Sequence, residues 1–327
     1  IDLILKEGGF FMKATLQQRY IWIYFGILFG IMAISYLAYN METPRSAKPI
    51  GVDPQAGGND VTIRDEEGKV ILQTGLPVTV DDEYISSDDI HYIITSVKGD
   101  QAVARIKNPD NSELNLIPKA QPAATLYYPN SLILRTSGKK LAIYHTHNDE
   151  SYILTSGKAA EPPDGDILKV GDAMAEALRR SGFTVVHNKD NHNPHDINAY
   201  NRSRKTAVKL LKDSPDAVFD IHRDSAPLKS YLTTINGVET AQVMIVIGRS
   251  NPNMSANLEF ARQVKATADQ LYPGLMRGIY MGRGSYNQDL YPRALLFEIG
   301  TDKGSLTIAS NAARLISDVI TAVLGQE

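Results

Sequence analysis

Two rhythms of hydrophobic and polar residues divide the chain. From about residue 131 onward, short apolar runs alternate with longer segments whose apolar residues recur every three or four positions. The runs 141–144, 184–187, 217–221, 242–247 and 294–299 read as strands, and 166–181, 201–213, 255–271 and 306–323 read as helices. The segment 166–181 places Ile167, Val170, Met174, Ala177 and Leu178 on one face and meets Gly182 as its stop. Strand–helix alternation predicts an α/β domain over 131–327, a mostly parallel sheet with flanking helices. Before it, β-prone runs at 61–63, 70–73, 92–97 and 101–106 are broken by turn signals such as Glu67-Gly68 and Gly99-Asp100. They predict a small β-rich domain over 61–130, whose last part is a polar, proline-containing connector.

One stretch has neither rhythm. Residues 20–39, "YIWIYFGILFGIMAISYLAY", carry no charge. About 20 such residues span a bilayer as a helix, so the segment predicts a single transmembrane anchor. Trp22 and several tyrosines lie near its ends, where amphipathic rings prefer to sit. Lys13 and Arg19 precede it and favour a cytoplasmic segment at 1–19, with the folded domains outside the cell membrane. Residues 40–60 are rich in Pro, Gly and polar residues and read as a linker. Met12-Lys13 resembles a start site, which would leave 1–11 as upstream sequence.

Composition narrows the chemistry. A formal net charge of −3 gives no basic surface for nucleic acid. The absence of cysteine excludes disulfides, thiolate metal sites and cysteine nucleophiles. Any zinc site must use His, Asp and Glu, the mixture more usual in catalytic than in structural sites.

The chain has seven histidines, and two of them stand with two carboxylates at the end of the first apolar run, in "LAIYHTHNDESY". His145 follows that run, His222 follows the run 217–221, and Glu298 lies near the end of "ALLFEIG". In open α/β sheets ligands bind beyond the carboxyl ends of the strands, where these groups would converge. A carboxylate inside an apolar run is costly unless it is paired, metal-bound or used. Several ligand sets fit. His145, Glu150 and His222 make one; His147 with Glu150 has the H-x-x-E spacing of zinc carboxypeptidases; Asp166, at a helix start, could replace Glu150. His187 reads as a bystander, and His192 and His195 as residues of a solvated rim.

"HTHNDESY", "FDIHRDSA" and "SYNQDLYPRALLFEIG", with an anchor and a β-rich segment before them, resemble the stage II sporulation protein P family. That family is related to the zinc N-acetylmuramoyl-L-alanine amidases. The resemblance implies a zinc amidase-like fold and hydrolysis of peptidoglycan outside the membrane during engulfment. It also implies cleavage of peptide cross-links, and stage II sporulation proteins D and M as partners. Carried over by position, it implies Zn²⁺ on His145, Glu150 and His222, with Glu298 as acid/base. Asn148-Asp149 departs from the Thr and small residue expected there. Two other classes compete: a metallo-carboxypeptidase acting on stem peptides, and a non-catalytic wall-binding scaffold.

Overall fold

The computed structural model describes residues 60–107, 136, 138–196 and 198–325. The expected anchor at 20–39, the linker up to residue 59 and most of the connector after 107 lie outside them. Five strands come first: β1 (Val61–Arg64), β2 (Val70–Thr74), β3 (Glu83–Ser86), β4 (His91–Lys98) and β5 (Gln101–Ile106). Then come β6 (Lys140–Tyr144), α1 (Ile153–Ser156), α2 (Ile167–Arg180), β7 (Thr184–His187), α3 (Ala199–Leu211) and β8 (Ala217–Asp224). A hairpin of β9 (Leu232–Ile235) and β10 (Val238–Ala241) leads to β11 (Val243–Gly248), α4 (Met254–Leu271), β12 (Met276–Gly282), β13 (Ala294–Thr301) and α5 (Leu306–Gly325).

All but the hairpin form one sheet of 11 strands, ordered β2-β1-β5-β4-β3-β12-β11-β13-β8-β6-β7. It is mixed, which corrects the expectation of a mostly parallel sheet. The reason lies in the connections, because a parallel neighbour needs a long crossover, usually a helix. Helices join β6 to β7, β7 to β8 and β11 to β12, and β13, β8, β6 and β7 accordingly run parallel, as do β11 and β12. Between β8 and β11 there is only a short turn and the hairpin, and between β12 and β13 only a short helical turn. The chain re-enters the sheet from the edge it left, and β11 runs antiparallel to β13.

The strands of the β-rich segment extend the same sheet. Their junction is the antiparallel pair β3–β12, with Ile85 opposite Ile279 and Ser86 opposite Gly278. Neither strand has a clear alternating pattern, and the sequence reading contains neither. At Gly278 (φ 142) a Cβ would lie 2.2 Å from the carbonyl oxygen of Ile85, so only glycine admits β3 this closely.

Helices α2, α4 and α5 cover one face of the sheet, where Leu141, Ile143, Phe219, Ile221, Phe297 and Ile299 are buried. Helix α2 matches its expected face, and Gly182 (φ 96) follows its end. Helix α5 is long and apolar enough to cross a membrane by length and composition, but most of it is buried in this core. On the other face, α3 packs Ala207 and Leu210 against Ala142, Tyr144 and Val218. Tyr200, Met244, Val246, Tyr280 and Leu296 pack there with Ile63, Leu72, Tyr84 and Ile94 of the β-rich segment.

Candidate active site

Alternation along the strands decides which side chains meet. On β8, Phe219 and Ile221 face the α2 side, so Asp220 and His222 face the α3 side. On β13, Phe297 and Ile299 face α2, which turns Glu298 to the α3 side. Glu298 and His222 are direct partners in the parallel β13–β8 register. On β6, Leu141 and Ile143 face α2, and His145 continues that parity.

His145 therefore lies on the far face from His222 and Glu298. Its Nδ1 is 2.9 Å from the Ile221 carbonyl oxygen and its Nε2 is 2.8 Å from Nε2 of His187. Both ring nitrogens are thus engaged, one by a backbone carbonyl and one by His187, and the His145 ring packs on the α2 face, not on the face of Glu150 and His222. His187, expected as a bystander, is its partner and also meets Asp172 (Nδ1–Oδ1 3.1 Å). Helix α2 admits the pair at Gly171, where a Cβ would stand 2.6 Å from Nε2 of each ring.

The backbone bends after Tyr144 and brings His147 to the near face. Asp220 holds the bend: its Oδ1 accepts from the Thr146 amide (2.8 Å) and its Oδ2 from the Thr146 hydroxyl (2.6 Å). The His147 ring lies edge-on to His222, 5.3 Å between centroids, and stacks on His195 at 3.8 Å. His195 is a rim residue as expected, with Nδ1 3.0 Å from Asp149 Oδ1. His192 is instead buried, bonded to the His145 carbonyl oxygen (2.7 Å) and the Thr206 hydroxyl (2.8 Å).

Glu150 is fully buried beside His222, with Oε1 3.6 Å from His222 Nδ1 and Oε2 accepting the Arg223 amide at 3.0 Å. Asp166, the alternative carboxylate, is engaged with Ser156 and with Lys169 at 2.8 Å. Tyr200 completes the near-face cluster. Its ring is 5.6 Å from His147 and 6.4 Å from His222, and its buried hydroxyl has no hydrogen-bond partner among the described residues.

The electrostatics follow from three buried carboxyl groups around one imidazole. Burial works against charge on His222, but Asp220 and Glu150 outweigh it and raise its pKa well above the ordinary value. Burial pushes Glu150 up, and His222 and Arg223 more than offset that, so it titrates below the usual carboxylate range. Glu298 goes the other way: burial, Asp224 and Glu150 raise it well above its ordinary value. Burial likewise raises the Tyr200 phenol, which keeps its proton and remains a donor.

Among the described residues no three His, Asp or Glu side chains form a ready metal cluster. The donor set nonetheless suits a divalent cation in kind. His147, Glu150 and His222 converge on one face, and Glu150 Oε1 and Glu298 Oε2 are buried without hydrogen-bond partners among the described residues. Asp220 was missed in the sequence reading, although "FDIHRD" sets Asp220, His222 and Asp224 two apart in a strand. Tyr200 carried no local signal, because its position depends on how α3 packs.

Fold and site together define an α/β protein with a buried histidine–carboxylate centre at the carboxyl ends of parallel strands. Residues 80–321 match the family model for Stage II sporulation protein P (SpoIIP), and the chain belongs to that family. It is 33% identical over 206 residues to the stage II sporulation protein P of Bacillus subtilis strain 168, a match covering 57% of this chain and 51% of that protein. The chain thus spans about half the length of the curated relative it matches. Among solved structures it is similar to the N-acetylmuramyl-L-alanine amidase Ami1 of Mycobacterium smegmatis (17% identity, TM-score 0.41, 59% of this chain and 99% of that one). It is also similar to the CwlD amidase of Clostridioides difficile in complex with the GerS lipoprotein (15% identity, TM-score 0.42, 58% and 100%).

Proposed function

We propose that the chain is a zinc-dependent peptidoglycan hydrolase that cleaves the amide between N-acetylmuramic acid and L-alanine. The observation that carries this reading is the pairing of Glu298 with His222 on one face, with Glu150 Oε1 3.6 Å from the His222 ring. Family membership supports the substrate class. His147, Glu150 and His222 would hold the cation, with His147 in place of His145, whose ring is engaged on the other face. When bound, such an ion supplies Lewis acidity toward an amide carbonyl and toward water.

The remaining chemistry belongs to the chain. In its carboxylate form Glu298 takes a proton from the attacking water, and burial, which raises its proton affinity, suits it to hold that proton. It then passes that proton to the amine nitrogen as the carbon–nitrogen bond breaks and the new carbon–oxygen bond is retained. Asp220 orients the loop that presents His147, through its two bonds to Thr146. Tyr200 offers a buried O–H to the oxygen that gains charge. Anchoring through residues 20–39 would concentrate this activity at the outer face of the membrane.

A peptidase reading has one observation in its favour. The residues that approach His222 are His147 and Glu150, which have the H-x-x-E spacing of zinc carboxypeptidases. Mass spectrometry of products from purified peptidoglycan, with and without a chelator, separates the two. Free muramoyl lactyl groups and intact L-alanyl peptides are expected; released terminal amino acids alone would replace the amidase reading.

A further inference from the structure

A cavity of about 450 Å³ lies apart from the candidate centre, lined by Thr79, Val80, Asp81, Arg249, Ser250 and Arg283. Arg249 follows β11 and Arg283 follows β12. Because β11 runs antiparallel to β13, these strand ends point to the sheet edge opposite that of the β6, β8 and β13 ends. The cavity shares no residue with the centre.

Its walls are firmly held. The Arg249 amide donates to the Gly282 carbonyl (2.7 Å) and the Ser250 amide to that of Gly284 (3.2 Å), which ties the two segments together. Arg249 Nη2 donates to Oδ1 of Asp82 at 2.8 Å. Asp82 is fully buried, and its Oδ2 accepts from the Thr79 amide (2.7 Å) and the Tyr280 hydroxyl (2.8 Å). The guanidinium is therefore fixed, yet its buried Nε has no hydrogen-bond partner among the described residues, and neither has the buried Thr79 hydroxyl. Buried donors left unsatisfied are costly, and both belong to residues that line the cavity.

The charges also make a pattern. Asp82 neutralises Arg249 from behind. Arg283 is exposed and forms no ion pair among the described residues, while Asp81 is exposed on the facing loop. The lining is near neutral in total but separated in sign, which suits a zwitterion better than a simple anion. Val80, 49% exposed, adds an apolar surface to the same lining.

We propose that this cavity binds a free amino-acid end, a carboxylate beside an ammonium, on the stem peptide of peptidoglycan. The carboxylate lies against Arg283, with Arg249 and Thr79 in the wall behind it, the ammonium against Asp81, and the aliphatic part against Val80. The ligand class follows from the cavity; its source in peptidoglycan rests on the proposed function. The site would hold the polymer at a distance from the bond being cut.

Titration calorimetry on the full chain tests this with meso-diaminopimelate, pimelate and inorganic phosphate as probes. Diaminopimelate is expected to bind at least about tenfold more tightly than the other two, a difference of ~1.4 kcal/mol. Arg283→Glu and Asp81→Asn should each weaken it by about tenfold or more. Both positions are exposed, and Asn accepts the φ of 70 at Asp81. Equal binding of pimelate or phosphate, or unchanged binding in both variants, overturns the proposal. The same samples are assayed on sacculi. Diaminopimelate bound without any hydrolysis would count against the hydrolase and leave the cavity standing; hydrolysis without binding would do the reverse.

Discussion

Two buried histidine pairs lie at the ends of the same strands, on opposite faces of the sheet. On the α2 face, His145 meets His187, with ring centroids 5.0 Å apart, and the carboxylate bonded to the pair, Asp172 on His187, is half exposed. Burial dominates there and lowers both imidazoles, His187 to about 4. On the α3 face, His147 and His222 stand among Glu150, Asp220 and Glu298, and His222 is driven upward instead. Residue type is the same in both pairs. Buried carboxylates give the second pair the donors that the proposed cation and proton transfer need, while the first pair joins β6, β7 and β8.

Substitutions on the near face should have the largest effects. His147→Ala and His222→Ala are expected to abolish peptidoglycan hydrolysis and lower zinc occupancy, because each removes a donor. His145→Ala should leave occupancy unchanged. Metal analysis of the three variants breaks the comparison if His145→Ala loses the ion while His147→Ala keeps it.

Glu298→Gln should come next. Gln keeps the size of the side chain and cannot carry the proton, so turnover should fall by about 10²–10⁴-fold with zinc retained. Muropeptide kinetics and metal content on one sample check this, and near-normal turnover would remove Glu298 from the chemistry.

Changes on the far face should act on stability. Gly171→Ala places a Cβ 2.6 Å from both Nε2 atoms, and both rings are held by hydrogen bonds. Overpacking of this kind costs about 1–3 kcal/mol, measured by denaturant unfolding. Unchanged stability would mean that the two rings are not packed against the helix as described.

The smallest effect is a pH dependence. His145 Nδ1 can only donate to the Ile221 carbonyl, which leaves its Nε2 to accept from His187 Nε2. Burial holds His187 at about 4, against 6.5 for an ordinary imidazole. Between those values the unfolded chain binds a proton that the folded chain refuses, so stability falls as pH drops through that window. His187→Gln should flatten the slope of unfolding free energy between about pH 6.5 and 4 relative to the unaltered chain; an identical slope would assign the loss elsewhere.

Much of this molecule was legible in the chain itself. The apolar rhythms located β6, β7, β8, β11 and β13 and helices α2 to α5 within a few residues, because each element buries a face long enough to show its period. His222 and Glu298 stood out as polar groups in apolar runs, and strand parity would have paired them with Asp220. Three matters were settled only by tertiary structure. Strand direction depended on which connections carry a helix, and so the sheet became mixed. The junction β3–β12 depended on a close approach at Gly278, which has no side chain to leave a pattern. Which of His145 and His147 lies on the face of His222 depended on a bend held by Asp220, 74 residues away in sequence, and a hydrogen bond across that distance leaves no local trace in the amino-acid order.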